Sequence, residues 1–178
     1  MENILREKKT ELDFFPTCSK DTWKKRQELL GRVRRFFEQR SVLEVETPVL
    51  SHAGGTDPNL DYFKTQGVQT RYLMTSPEFH LKRLLASGFG DVYAIARSFR
   101  EDETGERHNP EFTMIEWYRV GMSMENLMTE VEELCSEILN LRVTARRTRY
   151  DEAFMEYAGI DPFDENFSNW KSCCEKHG

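Results

Sequence analysis

DVYAIARSFREDETGERHNPEFTMIEWYRV, residues 91–120, is the stretch on which the fold turns. Its two ends, 91–100 and 111–120, each alternate apolar and polar side chains, the period of a half-buried strand. The segment between them is polar and carries Gly105 and Pro110, which predicts an antiparallel hairpin with a long loop. On the second strand Phe112, Met114, Glu116 and Tyr118 share one face, with Thr113, Ile115 and Trp117 behind them. An acid among rings needs a cation or several donors, because an unpaired buried carboxylate is costly or gives up its charge.

Two readings of Glu116 stand side by side. It is a structural ion pair with Arg100 of the first strand, or it meets the ammonium of a ligand. The loop adds Arg107 and His108 as anion-facing groups next to Arg100, whose guanidinium can grip a phosphate through two hydrogen bonds. Glu78 offers a second carboxylate at a helix start that follows a strand. Two acids with phosphate-gripping cations suit a ligand that is an amine at one end and a phosphate at the other, the shape of aminoacyl adenylate chemistry.

Outward from the hairpin, residues 1–20 read as an extended lead-in, and 21–178 as one domain. KDTWKKRQELLGRVRRFFEQR (20–40) sets Trp23, Leu29, Leu30, Val33, Phe36 and Phe37 at helical spacing, with Asp21 as the expected N-cap. SVLEVETPVL (41–50) alternates as a strand ended by Pro48. Residues 51–69 form a long Gly-, Asp- and Pro-rich loop with a short strand near Tyr62, and RYLMT (71–75) is an apolar strand. SPEFHLKRLLASG (76–88) predicts a helix with Ser76 as N-cap, Pro77 at its first position and Gly88 as C-cap. Behind Ser123 a second long helix aligns Leu127, Val131, Leu134 and Ile138, and a last one ends at Gly159, with no element expected after it.

The chain is 38% hydrophobic and 31% charged, enough apolar surface for one core. No apolar run approaches a membrane span, and MENILREKKTELDFF is charged where a signal peptide would be apolar. A net charge of -6 disfavours generic attachment to nucleic acid or anionic lipid. Cys18, Cys135, Cys173 and Cys174 lack metal-ligand spacing, so reduced thiols in the cytoplasm are expected. His52, His80 and His177 read as surface or satisfied core histidines, while Lys82, Arg83 and the run EVEELCSE (130–137) read as solvated faces.

RSFREDETGERHNPEFTMIEWY (97–118) resembles motif 2 of the class II aminoacyl-tRNA synthetases in its lysyl-type form, and RRFFEQRSVLEVETPVL (34–50) resembles motif 1. MTSPEFHLKRLLASGFGDVYAIARSFR (74–100) follows the same pattern, so the similarity runs over about residues 22–165. Within that superfamily the chain is most similar to the elongation factor P (R)-β-lysine ligases. Lysyl-tRNA synthetases carry an anticodon-binding barrel before motif 1 and usually read Ala-Pro-Glu where Ser76-Pro77-Glu78 stands here.

The resemblance implies an α+β class II core, an antiparallel sheet flanked by helices. It implies ATP-dependent activation of (R)-β-lysine as the adenylate and transfer to a lysine of elongation factor P, with tRNA not a partner. Arg100 would hold the α-phosphate as the catalytic cation. His108 and Asn109 would contact the phosphates and ribose, Phe112 would stack on adenine, and Glu101 or Asp102 would face the adenine side. Ser76, Glu78, Glu116 and Tyr118 would hold the amino acid. Motif 1 implies a homodimer, with Phe36 and Phe37 in core or interface. One departure is that the family's Arg-x-Glu is Arg100-Glu101-Asp102 here. The larger is that 146–178 shows nothing like motif 3, whose arginine and Mg2+-holding acids are expected beyond residue 178. A C-terminally incomplete domain, inactive alone, is the expectation. A lysyl-tRNA synthetase fragment and a non-catalytic binding or dimerisation module are the alternatives.

Overall fold

The computed structural model describes residues 16–101 and 104–177, which divide into two compact units, one ending at Leu141 and one beginning at Arg142. In the first, the expected hairpin forms from β5 (Val92–Phe99) and β6 (Glu111–Tyr118), paired antiparallel from Val92 opposite Tyr118 to Phe99 opposite Glu111. A two-residue strand β1 (Leu43–Glu44) joins the far edge of β5 in parallel, so the sheet is mixed rather than wholly antiparallel. The parallel pairing is open to β1 because a long connection separates it from β5. The rest of 41–50 does not continue that strand: Leu50–Ser51 (β2) belongs to a second sheet with β3 (Lys64–Thr65) and β4 (Arg71–Leu73), in the order β2-β4-β3.

Helices cover both faces of the hairpin. On one side α1 (Lys20–Glu38) sends Val33, Phe36 and Phe37 into a core with Tyr93 and Leu134, against which Ile115 and Trp117 pack. Phe37 is fully buried and stacks on Tyr93 at 4.3 Å between ring centres. On the other side α2 (Glu78–Ala86) packs Leu81, Leu84 and Leu85 against Val92, Ala94 and Tyr118. The alternation of β6 thus divides as its sequence predicts.

Helix ends differ from expectation by a residue or two. Ser19, not Asp21, caps α1, its hydroxyl accepting from the Thr22 amide at 3.1 Å. Pro77 occupies the cap position of α2, and Ser76 instead accepts the Glu78 amide at 3.0 Å. Ser87 is the C-cap, and Gly88 follows it at φ +81°, the left-handed conformation that glycine adopts without strain. Ser123 caps α3 (Met124–Leu139) as predicted. Leu134 is buried on α3, whereas Leu127 and Val131 stay largely exposed and the acid Glu130 is buried in their place.

In the second unit, α4 (Tyr150–Tyr157) ends before Gly159 as expected, but a further helix, α5 (Phe167–His177), follows where no element was foreseen. Its apolar period is weak. Local hydrogen bonds start it, with Asn166 Oδ1 accepting the Ser168 amide at 3.0 Å, and Trp170 packs edge-on against Phe154 at 5.9 Å.

Candidate active site

β4 runs out beside the end of β5, and one hydrogen bond ties the two sheets together there: the Phe99 amide donates to the Met74 carbonyl at 2.9 Å. That bond sets Thr75 and Ser76 next to Arg100. The result is a cleft of about 550 Å³ whose walls include Ser76, Glu78 and Arg100, three of the residues singled out in the sequence. Its outer wall comes from the long loop, through Gly55, Asp57 and Tyr62, with Thr75 and Phe79 completing it. None of these last five is among the site residues named from the sequence. The Gly54–Gly55 pair was the available signal, because the Tyr62 ring lies so close over both glycines that a β-carbon there would press on it.

Glu78 opens α2, where a carboxylate interacts favourably with the helix dipole. Its Oε1 lies 2.6 Å from Lys82 Nζ, one turn on, so Lys82 is not simply part of a solvated face. Glu78 also acts on the sheet. Burial first, then the hydrogen bond and charge of Glu116, and finally the charge of Glu78 hold the Tyr118 phenol well above its ordinary value. Tyr118 is therefore a fixed proton donor, and it donates to Glu116 Oε1 at 2.8 Å.

Glu116 sits opposite Ala94, whereas Arg100 lies beyond the end of β5, where its amide donates to the Pro110 carbonyl at 2.9 Å. Among the described residues no ion pair joins them, and the structural reading of Glu116 as the partner of Arg100 is set aside. The Arg100 guanidinium instead stands 5.2 Å from the centre of the Phe112 ring. The Glu101 amide donates to the Asp61 carbonyl at 3.3 Å and its side chain is exposed. Asp102 lies outside the described residues. His108 and Asn109 are exposed on the hairpin loop, with His108 paired through its backbone to Gly105, and they are not among the residues lining the cleft.

Elsewhere, EVEELCSE is not wholly solvated. Glu130 is only 4% exposed, accepts from Trp117 Nε1 at 3.0 Å and meets Arg119 Nε at 3.2 Å. Arg119 also pairs with Asp91 at 3.0 Å. His52 is exposed beside Arg71, and His177 contacts the Ala158 carbonyl at 3.3 Å. His80 is partly buried, and burial first, then the charge of Arg83, holds it below its ordinary value.

Residues 2–172 match the family described as tRNA synthetases class II (D, K and N). Among curated relatives, the chain is 45% identical over 173 residues to a Vibrio vulnificus protein named elongation factor P--(R)-beta-lysine ligase, an alignment covering 93% of this chain and 53% of the relative. Proteins of the same name from Vibrio cholerae and Pectobacterium atrosepticum are 46% and 44% identical over 169 and 170 residues, covering 91% and 92% of this chain and 52% of each relative. The chain spans about half the length of the curated relatives it matches.

Proposed function

Since the chain belongs to the family of tRNA synthetases class II (D, K and N), we propose that it is the motif 1 and motif 2 part of a ligase that joins (R)-β-lysine to elongation factor P. The observation that carries this reading is the meeting of Ser76, Glu78 and Arg100 at one cleft; Glu116 and Tyr118 are not among its lining residues, but Tyr118 lies within the field of Glu78.

In the first step a carboxylate oxygen of the amino acid attacks the α-phosphorus of ATP and the bond to pyrophosphate breaks. Arg100 holds the α-phosphate and meets the charge that develops on its oxygens, an interaction stronger in the transition state than before it. Phe112 carries the adenine, Glu101 or Asp102 serves the adenine side, and His108 and Asn109 contact phosphates and ribose from the hairpin loop. In the second step the amine of a lysine of elongation factor P attacks the acyl carbon and AMP leaves. The substrate has two ammonium groups and the site two acids. Arg100 and Glu78 share the cleft, so the ammonium nearer the reacting carboxylate falls to Glu78 and the distal one to Glu116, which Tyr118 orients.

ATP is a substrate here. Mg2+ would accompany its phosphates, but among the described residues no three of His, Cys, Asp and Glu gather to hold a cation, so no step is assigned through it. On this reading the metal-holding acids belong to the part of the relatives that this chain does not span, the domain from residue 21 onward is an incomplete catalytic domain, and the chain alone does not turn over. Among the described residues no helix is long and apolar enough to cross a membrane, and the four free thiols suit a reducing cytoplasm. Trp23 and Leu43, 54% and 51% exposed, lie on α1 and β1, the surface through which a homodimer forms.

Calorimetric titration with (R)-β-lysine and with L-α-lysine, each with and without a non-hydrolysable ATP analogue, tests the assignment. Tighter binding of the β-isomer supports it. Preference for α-lysine moves the chain to the lysyl-tRNA synthetases, and loss of all amino-acid binding on Glu78→Gln is required in either case.

A further inference from the structure

Glu78 has a cation partner on its own helix. Lys82 lies one turn along α2, in the orientation that favours an acid-to-base pair, and its ammonium sits 2.6 Å from Glu78 Oε1. Both side chains are about half exposed, 55% for Lys82 and 44% for Glu78, so the contact is at the mouth of the cleft and weak enough to open. The carboxylate that Lys82 holds is the one that, on the function proposed above, receives the near ammonium of the substrate. We propose that Lys82 is a positioning residue that sets the affinity of Glu78 for the substrate: its ammonium stands in for the near ammonium of the diamino acid at Glu78 and must be displaced by it.

This inference rests on that functional reading and adds a consequence the reading alone does not carry. A ligand with a near ammonium competes with Lys82, whereas a ligand lacking it leaves the Lys82–Glu78 pair intact. The displacement lowers the affinity of every near-amine ligand by the same small factor and leaves a ligand without that amine untouched. Lys82 touches no reacting atom in this scheme, and its part is to keep the Glu78 carboxylate in place until the substrate arrives.

The test compares the unsubstituted chain, Lys82→Met, Lys82→Arg and Glu78→Gln by calorimetric titration with (R)-β-lysine and with 6-aminohexanoate, which keeps only the distal amine. Lys82→Met should tighten (R)-β-lysine about two- to fivefold, the range an exposed ion pair allows, and leave 6-aminohexanoate unchanged. Lys82→Arg, which keeps a cation on the helix, should stay near the unsubstituted chain. Unchanged or weaker binding of (R)-β-lysine to Lys82→Met overturns the proposal, as does equal tightening of both ligands. If Glu78→Gln loses (R)-β-lysine while Lys82→Met is silent, only the role of Lys82 falls. If Glu78→Gln binds as before, or the unsubstituted chain binds neither ligand, the functional reading falls and the role of Lys82 with it.

Discussion

The Tyr118 hydroxyl donates to Glu116 Oε1 at 2.8 Å, two residues back along the same face of β6. A strand holds such a pair in fixed geometry, because alternate side chains project together from a backbone locked by its neighbours. Removing the hydroxyl leaves the carboxylate in place but free to rotate. Tyr118→Phe should therefore weaken (R)-β-lysine about tenfold, in the range for a hydrogen bond to a charged group, with little change in stability. Titration beside a denaturation curve separates the two effects.

Glu130 lies 3.2 Å from Arg119 Nε and 4.0 Å from Arg40 Nε in a nearly water-free setting. Taking away the acid leaves the partly buried Arg119 and Arg40 with less compensation, so Glu130→Ala should cost about 3 kcal/mol in urea unfolding. The double change Glu130→Leu with Arg119→Met should recover part of that loss. Equal losses for single and double variants would show that the pair does not act together.

Phe37 is fully buried between Tyr93 and Trp117, at 4.3 and 5.5 Å between ring centres. Phe37→Ala should lower the unfolding free energy by about 3–5 kcal/mol, the transfer and cavity terms together. Trp117 fluorescence should follow the loosened packing in the folded state.

His80 is held below its ordinary value of 6.5, by burial first and then by the charge of Arg83. Its unfolded form thus takes up a proton before its folded form does. The stability it contributes is complete above its unfolded value and is lost as pH falls from about 6.5 through the lower folded value. Thermal midpoints measured against pH should fall over that window in the unsubstituted chain and less steeply in His80→Gln.

Much of the fold was legible because it is written in short periods. The hairpin followed from alternation, and α1, α2 and α3 from apolar spacing and Ser, Pro and Gly signals at their ends. Glu78 and Arg100 followed from charge and position, the site role of Ser76 came with the resemblance of the motifs, and the cleft brings these three together. Asp57 and Tyr62 were not legible as site residues because a loop of small and polar residues carries no period, and its partners lie across the chain.

The sequence by itself determined which segments become strands and helices and which family the chain resembles, since both are encoded by neighbours a few positions apart. Only the tertiary structure decided which charges lose their water. Glu130 reads as one acid among many in a solvated helix, yet packing against Trp117 and Arg119 buries it. The deciding quantity is the distance to a particular partner in a particular dielectric, and only the assembled fold sets it.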